Sequence, residues 1–280
     1  MLIWLIYERA HIPRNQFFID RWLKAGHERG IRVEVVTLDT ITPGIRSNFA
    51  SLWTPAGVKI PDCVVMRANA PLLSAHLEAM GIPVFNNAHL ARLCNDKRLT
   101  HQLANGIAPM MDTAFINAGD SACPFPYPVV VKSAHGNGGR QVFLAEDDRA
   151  YAKALAQIQP DAALVQPLCD TPGRDVRVYM LGHEVKASMM RQSATDFRSN
   201  VGLGAEAVPY DPGAGILEVA RTFADRLNPG LIGVDFIFHR GQLLFNEIED
   251  AVGTRMLYAL GRFDIVKDYL TFILKALGKG

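Results

Sequence analysis

The stretch GVDFIFHRGQLLFNEIED, from Gly233 to Asp250, sets three carboxylates among large apolar side chains. Arg240 and Gly241 mark a turn near its middle, so it reads as two antiparallel strands. Glu247 and Glu249 lie two apart on the second strand and project from one face. Whether Asp235 joins them depends on the turn. A three-residue loop, HRG or RGQ, sets Asp235 opposite Phe245 or Glu247 on that face, whereas a two-residue RG turn sets it on the other. The three-residue loop, common where Gly is present, is the expectation. Three carboxylates converging on one face repel each other and lose water, so they need cations. Oxygen-only ligands suit Mg²⁺ or Mn²⁺ shared with a nucleotide phosphate. A solvated acidic edge is the alternative, but GVDFIF and LLFNEI are too apolar for one.

A second stretch, VVVKSAHGNGGRQV from Val129 to Val142, carries a lysine and a glycine turn. In the P-loop the lysine follows the glycines and opens a helix. Here Lys132 precedes Gly136, Gly138 and Gly139, and RQVFLA after them is again β-type. The pattern is a strand, a glycine flap and a strand.

Around these, the chain changes texture once. Strands Leu2 to Tyr7, IRVEVVTL, DCVVMR and IPVFN alternate with helices from Gln16 to Arg29 and over SAHLEAMG, which predicts a small parallel α/β layer. From Asn86, NNAHLARLCNDKRLTHQLANG reads as one helix with an apolar stripe Leu90, Leu93, Cys94 and then Lys97 at i+7. A lysine there either answers something negative or snorkels from the edge of the stripe. ALVQPL reads as a strand and VRVYMLGHEVKASMMR as a hairpin. The polar loop QSATDFRSNVGLGAEAVPYDP follows, then helices from Ile216 to Leu227 and over FDIVKDYLTFILKAL. Arg191, Arg198 and Asn200 sit on or before that loop, where arginine can grip phosphate or carboxylate and an amide can donate to an oxyanion. Asp175 and Arg177 share a strand face and read as a structural ion pair of small net worth. Arg67 ends DCVVMR, where ligands gather in α/β layers; it is either a group for an acceptor carboxylate or a surface arginine.

Composition limits the function classes. The 280 residues carry 29 Lys and Arg against 28 acids, 49% hydrophobic and 20% charged residues. This is ordinary soluble composition with no basic run, so neither nucleic acid nor a membrane is an expected partner. Cys63, Cys94, Cys123 and Cys169 form no C-x-x-C pair, which fits a reducing interior and a cytoplasmic protein. The apolar start MLIWLIY is too short for a signal segment and reads as a buried strand.

The order of parts resembles the ATP-grasp ligases, most closely their RimK-like branch. The resemblance rests on NDKRLTHQLANGIAPMMDT, PVVVKSAHGNGGRQVFLAE, LVQPL…TPGRDVRVYMLG, DFRSN and GVDFIF…LFNEIED…VG, and it runs from about Asn86 to Leu260. It implies a mixed α/β ATP-grasp fold. Residues 1–85 would form a small preceding parallel α/β domain. Residues 86–170 would form the lid subdomain with its flap, and 171–280 the subdomain with the metal-binding hairpin. It implies that Lys97 and Lys132 contact ATP phosphates and that the turn from Ser133 to Arg140, with Gly136, Gly138 and Gly139, closes over them. Val165 to Leu168, including Gln166 and Pro167, would hold adenine by backbone, and Asp175 would lie near sugar and substrate. Arg191, Arg198 and Asn200 would serve the transferred phosphoryl as catalytic groups, and Asp235, Glu247 and Glu249 would hold Mg²⁺ or Mn²⁺.

Three positions depart from the family pattern. Glu249 stands where Asn is usual, Pro167 where an acid is common, and DAVGTRMLY where better-known members have a Pro-Gly turn. The activity implied is amide formation through an acylphosphate, joining an amino acid such as glutamate to a small-molecule or peptide carboxylate acceptor. D-amino acid or glutathione-like ligation and a non-catalytic ATP-binding regulator are the alternatives. The sequence leaves a homo-oligomer open.

Overall fold

The computed structural model describes residues 1–55, 59–117, 122–136, 138–139, 141–199, 204–259 and 264–279. The chain opens with β1 (Leu2–Tyr7), α1 (Ile12–Glu28), β2 (Arg32–Thr37), the hairpin β3 (Thr42–Arg46) and β4 (Phe49–Trp53), β5 (Cys63–Met66), α2 (Pro71–Ala79) and β6 (Val84–Phe85). Strands β2, β1, β5 and β6 form a four-stranded sheet in that order, all parallel. β1 is apolar at every position because a parallel strand is covered on both faces. Helix α1 starts at Ile12, ahead of the expected Gln16, because Pro13 fits a first helical turn. The β3–β4 hairpin was not anticipated. Its two-residue turn, Ser47 and Asn48, takes left-handed φ values of 49° and 67° without any glycine.

The single helix expected after Asn86 is two: α3 (Ala88–Cys94) and α4 (Lys97–Ala104). Asp96 breaks the run by capping α4, its carboxylate accepting from the Arg98 N–H at 3.0 Å. Lys97 is therefore the first residue of a new helix, and the i+7 stripe does not apply to it.

Next come β7 (Ala114–Ile116), β8 (Val129–Ser133), β9 (Val142–Ala145), α5 (Asp148–Ile158) and β10 (Ala163–Pro167), which make an antiparallel sheet in the order β7-β10-β8-β9. A five-stranded antiparallel sheet, β13-β12-β11-β14-β15, follows from β11 (Arg174–Leu181), β12 (Glu184–Gln192), β13 (Glu206–Pro209), β14 (Leu231–His239) and β15 (Gln242–Glu249). Helix α6 (Ala214–Leu227) lies between β13 and β14 in sequence, and α7 (Arg255–Ala259) and α8 (Ile265–Ala276) close the chain. β13 falls in the segment read as a polar loop.

Alternate residues of the five-stranded sheet do different work. Val178, Val234, Phe236, Phe245 and Ile248 pack with α6 and with Leu90 and Ala104. On the other face Tyr179 and Leu181 enter one core with Ile3 and Leu5 of β1, Trp22 of α1 and Tyr269 of α8. That shared core seats the N-terminal layer on the five-stranded sheet.

The acidic hairpin has the two-residue turn, not the three-residue loop: His239 pairs with Gln242, and Arg240 and Gly241 take φ of 50° and 72°. Asp235 nevertheless pairs with Glu247, because the register slips between Asp235 and Phe236 and leaves Asn246 as an extra residue. A β-bulge supplies the one-residue shift that a longer loop would have supplied. Phe245, next to it, is fully buried with its ring 4.9 Å from that of Phe223. Phe245→Ala is expected to remove roughly 3–5 kcal/mol of stability, read as a lower urea midpoint at unchanged slope.

Candidate active site

Register builds the charged face of this sheet. Asp175 of β11 pairs with Arg191 of β12, Arg177 with Asp235 of β14, and Asp235 with Glu247 of β15, so alternate positions on four strands form a ladder of charge. Arg177 donates to Asp235 through Nε at 2.7 Å and Nη2 at 2.6 Å, and reaches Glu249 at 2.7 Å. Arg191 donates to Asp175 at 2.6 and 2.5 Å and to Asp235 at 2.7 Å. The ion pair read into Asp175 and Arg177 is thus replaced by cross-strand pairs. Residue 233 must be glycine for this to fit, since a Cβ there would meet Arg177 Cδ at 3.1 Å and Val252 at 2.8 Å.

Burial alone would raise the Asp235 carboxyl, but Arg177 and Arg191 hold it below the ordinary value. Burial raises Glu249 despite the pull of Arg177, and raises Asp175 despite Arg191. Glu247 has no ion pair among the described residues. Asp235, Glu247 and Glu249 each offer a carboxylate oxygen within 4.8 Å of the others. The donor set is oxygen-only and fits a hard divalent cation. It does not offer three equal ligands, since Asp235 is fully buried behind its arginines.

Facing these groups are the two lysines. Lys132, on β8, donates to Asn246 Oδ1 at 2.8 Å. Burial pushes its ammonium down to about 8, Glu247 opposes that, and nearby Lys97 adds to it. Lys97 donates from Nζ to the Gly136 carbonyl of the flap, and its N–H to Ala134 at 2.9 Å. The base of the flap is pinned by Asp161, which accepts from Ser133 Oγ and, at 3.2 Å, from the His135 N–H. Across it, Arg198 donates to the Gly139 carbonyl at 2.7 Å and is otherwise held by Asp196. Gly138 and Gly139 take φ of 63° and 72°, which side chains resist.

A cavity of about 560 Å³ is lined by Lys97, Lys132, Gly136, Gly138, Gly139, Gln166, Pro167, Leu168, Asp175, Arg191, Arg198, Glu247 and Glu249. Of the expected site residues, Ser133 and Asp235 are not on its wall. Ser133 is turned to Asp161, and Asp235 lies behind the arginines. Asn200, like Asn137 and Arg140 of the flap, is outside the described residues. Gln166 does not spend its amide on a ligand: Nε2 donates to Thr113 Oγ1 at 2.8 Å and to His101 Nε2 at 3.1 Å. Pro167 has no N–H, and Leu168 donates its own to Pro128 at 3.1 Å, so these two hinge residues present carbonyls only. Sequence reading missed Arg177 as the partner of Asp235 and Glu249, and missed Asn246 and Asp161. The only available signal was a charged residue at alternate positions of a buried strand.

The class follows from this arrangement: two antiparallel sheets face one cavity, Lys132 and a glycine turn on one, carboxylates on the other, with Lys97 at the start of α4 beside the turn. Solved structures share that ATP-grasp fold. The "RimK domain protein ATP-grasp" of Sphaerobacter thermophilus superposes with a TM-score of 0.74 at 22% identity, covering 98% of this chain and 100% of that one. D-alanine–D-alanine ligase of Bacillus anthracis superposes at 0.71 and 13%, covering 98% and 96%. Residues 106–273 match the RimK-like ATP-grasp domain. The "Probable alpha-L-glutamate ligase" of Xanthomonas oryzae pv. oryzae is 30% identical over 266 residues, covering 87% of this chain and 89% of that protein. The chain belongs to the RimK-like ATP-grasp family, and ATP is the nucleotide that membership implies. N-acetylaspartylglutamate synthase A of Homo sapiens is 30% identical over 236 residues, 75% of this chain. This chain spans 58% of the length of that synthase.

His101 links the lysine helix to the hinge. With Gln166 donating to Nε2, its Nδ1–H donates to the Lys97 carbonyl at 2.8 Å, so the ring is neutral. Burial, aided by Lys132, pushes it from 6.5 down to about 4. The unfolded chain then takes up a proton below pH 6.5 that the folded chain refuses until about pH 4. Stability present above pH 6.5 is lost as pH falls across that window, by about 3 kcal/mol. Unfolding free energies of wild type and His101→Gln, from urea titrations between pH 7 and 4, should converge by that amount.

Proposed function

We propose that this protein is an ATP-dependent carboxylate–amine ligase that joins an amino acid such as glutamate to a carboxylate-bearing small molecule or peptide. The observation that carries this reading is the placing of Lys97, Lys132, the glycine flap, Glu247 and Glu249 around one cavity. The named relatives, glutamate ligases and a synthase of N-acetylaspartylglutamate, support glutamate as the amine donor.

In the chemistry proposed, a substrate carboxylate oxygen attacks the γ-phosphorus of ATP and the bond to ADP breaks, giving an acylphosphate. The amine nitrogen then attacks the acyl carbon, the carbon–oxygen bond to phosphate breaks, and an amide and phosphate leave. Phosphoryl transfer of this kind depends on positioning and charge neutralisation. Glu247 and Glu249, with what Arg177 and Arg191 leave of Asp235, would hold Mg²⁺ or Mn²⁺. Such an ion neutralises phosphate oxygens when bound. Lys97 and Lys132 would take the phosphates, Lys97 leaving the Gly136 carbonyl to do so. Arg191 is stiffened by two carboxylates and would present a fixed positive charge to the reacting carboxylate. Arg198 ties the flap at Gly139 to Asp196, and so would exclude water from an intermediate that water destroys.

Lys132→Ala should lower ATP-dependent ADP release by more than about a hundredfold, while the thermal midpoint stays near wild type. The product should appear by mass spectrometry of a cell extract supplied with ATP, Mg²⁺ and glutamate, as a new mass that grows by one glutamyl residue. Full activity in Lys132→Ala would remove the proposal. Tight Mg·ATP binding by wild type without any turnover would favour the regulatory alternative.

A further inference from the structure

The N-terminal wall of the cavity contains a buried guanidinium, that of Arg67, with no ion pair among the described residues. In the parallel sheet β2-β1-β5-β6, the order reverses between β1 and β5, and ligands collect outside the carboxyl ends of strands at such a point. Tyr7 ends β1 there, Arg67 follows β5, and both line the cavity. Arg67 is only 8% exposed and Tyr7 only 1%, so the surface-arginine reading does not hold. The guanidinium lies over the Phe18 ring at 4.8 Å and donates through Nη2 to the carbonyls of Ala251 at 3.2 Å and Val252 at 2.8 Å. Arg67 Nε and the Tyr7 hydroxyl are buried close to each other, the guanidinium charge pulling on the hydroxyl, and neither atom has a well-aligned hydrogen-bond partner among the described residues.

The contrast with the opposite wall is chemical. Arg177 and Arg191 each hold a carboxylate with two hydrogen bonds, whereas Arg67 holds none among the described residues. Asp250 is close enough to feel its charge, but that carboxylate is occupied by the Asn95 amide at 3.0 Å and the Ala251 N–H at 2.8 Å. Arg14 and Arg255, both exposed and without ion pairs among the described residues, line the same cavity and add to the positive field. A buried guanidinium with only neutral carbonyls and an idle Nε–H is strongly disfavoured unless an anion completes it. A carboxylate suits it, because the fork of an arginine matches two oxygens.

Position decides what carries that carboxylate. Val252 is three residues beyond Glu249, a reach of at most about 10 Å along the chain. One small molecule can therefore touch Arg67 and the phosphate end together. We propose that Arg67 and the Tyr7 hydroxyl form a subsite for a non-reacting carboxylate of a substrate, so that the site selects molecules with an acidic group remote from the reacting one. The place of this subsite beside the transferred phosphoryl rests on the ligase reading. The carboxylate belongs either to the amino acid or to the acceptor.

The test is calorimetric titration of the full chain, loaded with Mg²⁺ and a non-hydrolysable ATP analogue, against L-glutamate, glutarate and L-2-aminobutyrate. Wild type is expected to bind L-glutamate or glutarate, and Arg67→Gln to weaken that binding about tenfold to a hundredfold with analogue affinity unchanged. If Arg67 governs L-glutamate alone and L-2-aminobutyrate, which lacks only the side-chain carboxylate, binds as poorly as L-glutamate does to Arg67→Gln, the carboxylate is the amino acid's. If it governs glutarate, the carboxylate is the acceptor's. Should Arg67→Gln lose the nucleotide analogue as well, Tyr7→Phe carries the test, with a severalfold loss expected. Failure of wild type to bind either probe, or equal binding by wild type and the variant, overturns the subsite. None of these readouts uses turnover, so an inactive protein would remove the ligase proposal without touching this one, and an active Arg67→Gln with unchanged KM would do the reverse.

Discussion

A carboxylate with no exposure must be matched by cations, and Asp235 is matched by two, Arg177 and Arg191. Much of the site is set by that constraint. Because both arginines reach across strands, the pairing of β11 with β12 and β14 is tied to the chemistry, and a slipped register would strand a buried charge. Removing one member of such a network is far more damaging than the net worth of the intact pair suggests. The network also accounts for Glu249 where an amide is usual in the family: Arg177, 2.7 Å away, neutralises the added charge. Glu247 is then the carboxylate of the three with no protein cation of its own among the described residues.

The two walls of the cavity are electrostatically opposite, and the fold keeps them apart in a defined way. Lys132 stands on β8 and the carboxylates on the five-stranded sheet, while Lys97 opens α4, a helix that packs on the five-stranded sheet and reaches the flap at Gly136. Asn246, the bulged residue, touches Lys132 and so spans the gap. The flap is held from both sides, by Lys97 at Gly136 and by Arg198 at Gly139. Those contacts satisfy two of the flap's carbonyls. The N-terminal layer completes the cavity because Trp22 and Tyr269 lock it to the same core as Tyr179.

Much of this was legible from residue order. Apolar runs, the glycine flap and the alternation of Glu247 and Glu249 reflect periodicities that a strand cannot evade. The bulge at Asn246 was not, because nothing local distinguishes an extra residue in one strand from a longer turn; both bring Asp235 round. The break between α3 and α4 was hidden by a stripe that continued by coincidence through Lys97, although Asp96 carried the cap signal. Arg177 was misassigned because sequence shows a neighbour two residues away on the same strand, whereas partners in a sheet come from the strands beside it. The hairpin of β3 and β4 turns on Ser47 and Asn48, without the glycine that usually marks such a turn. Arg67 could be placed at a strand end, but its burial depends on α1 and on the chain after Glu249, which only the assembled fold supplies.

In the proposed site Glu247 and its neighbours would present oxygens to a divalent ion that nucleotide phosphates share. Electron paramagnetic resonance of Mn²⁺ titrated into the protein, with and without a non-hydrolysable ATP analogue, addresses it most directly. Tight Mn²⁺ binding that needs the nucleotide and disappears in Glu247→Gln is expected. Binding of Mn²⁺ that is indifferent to the nucleotide, or unchanged in Glu247→Gln, would contradict it.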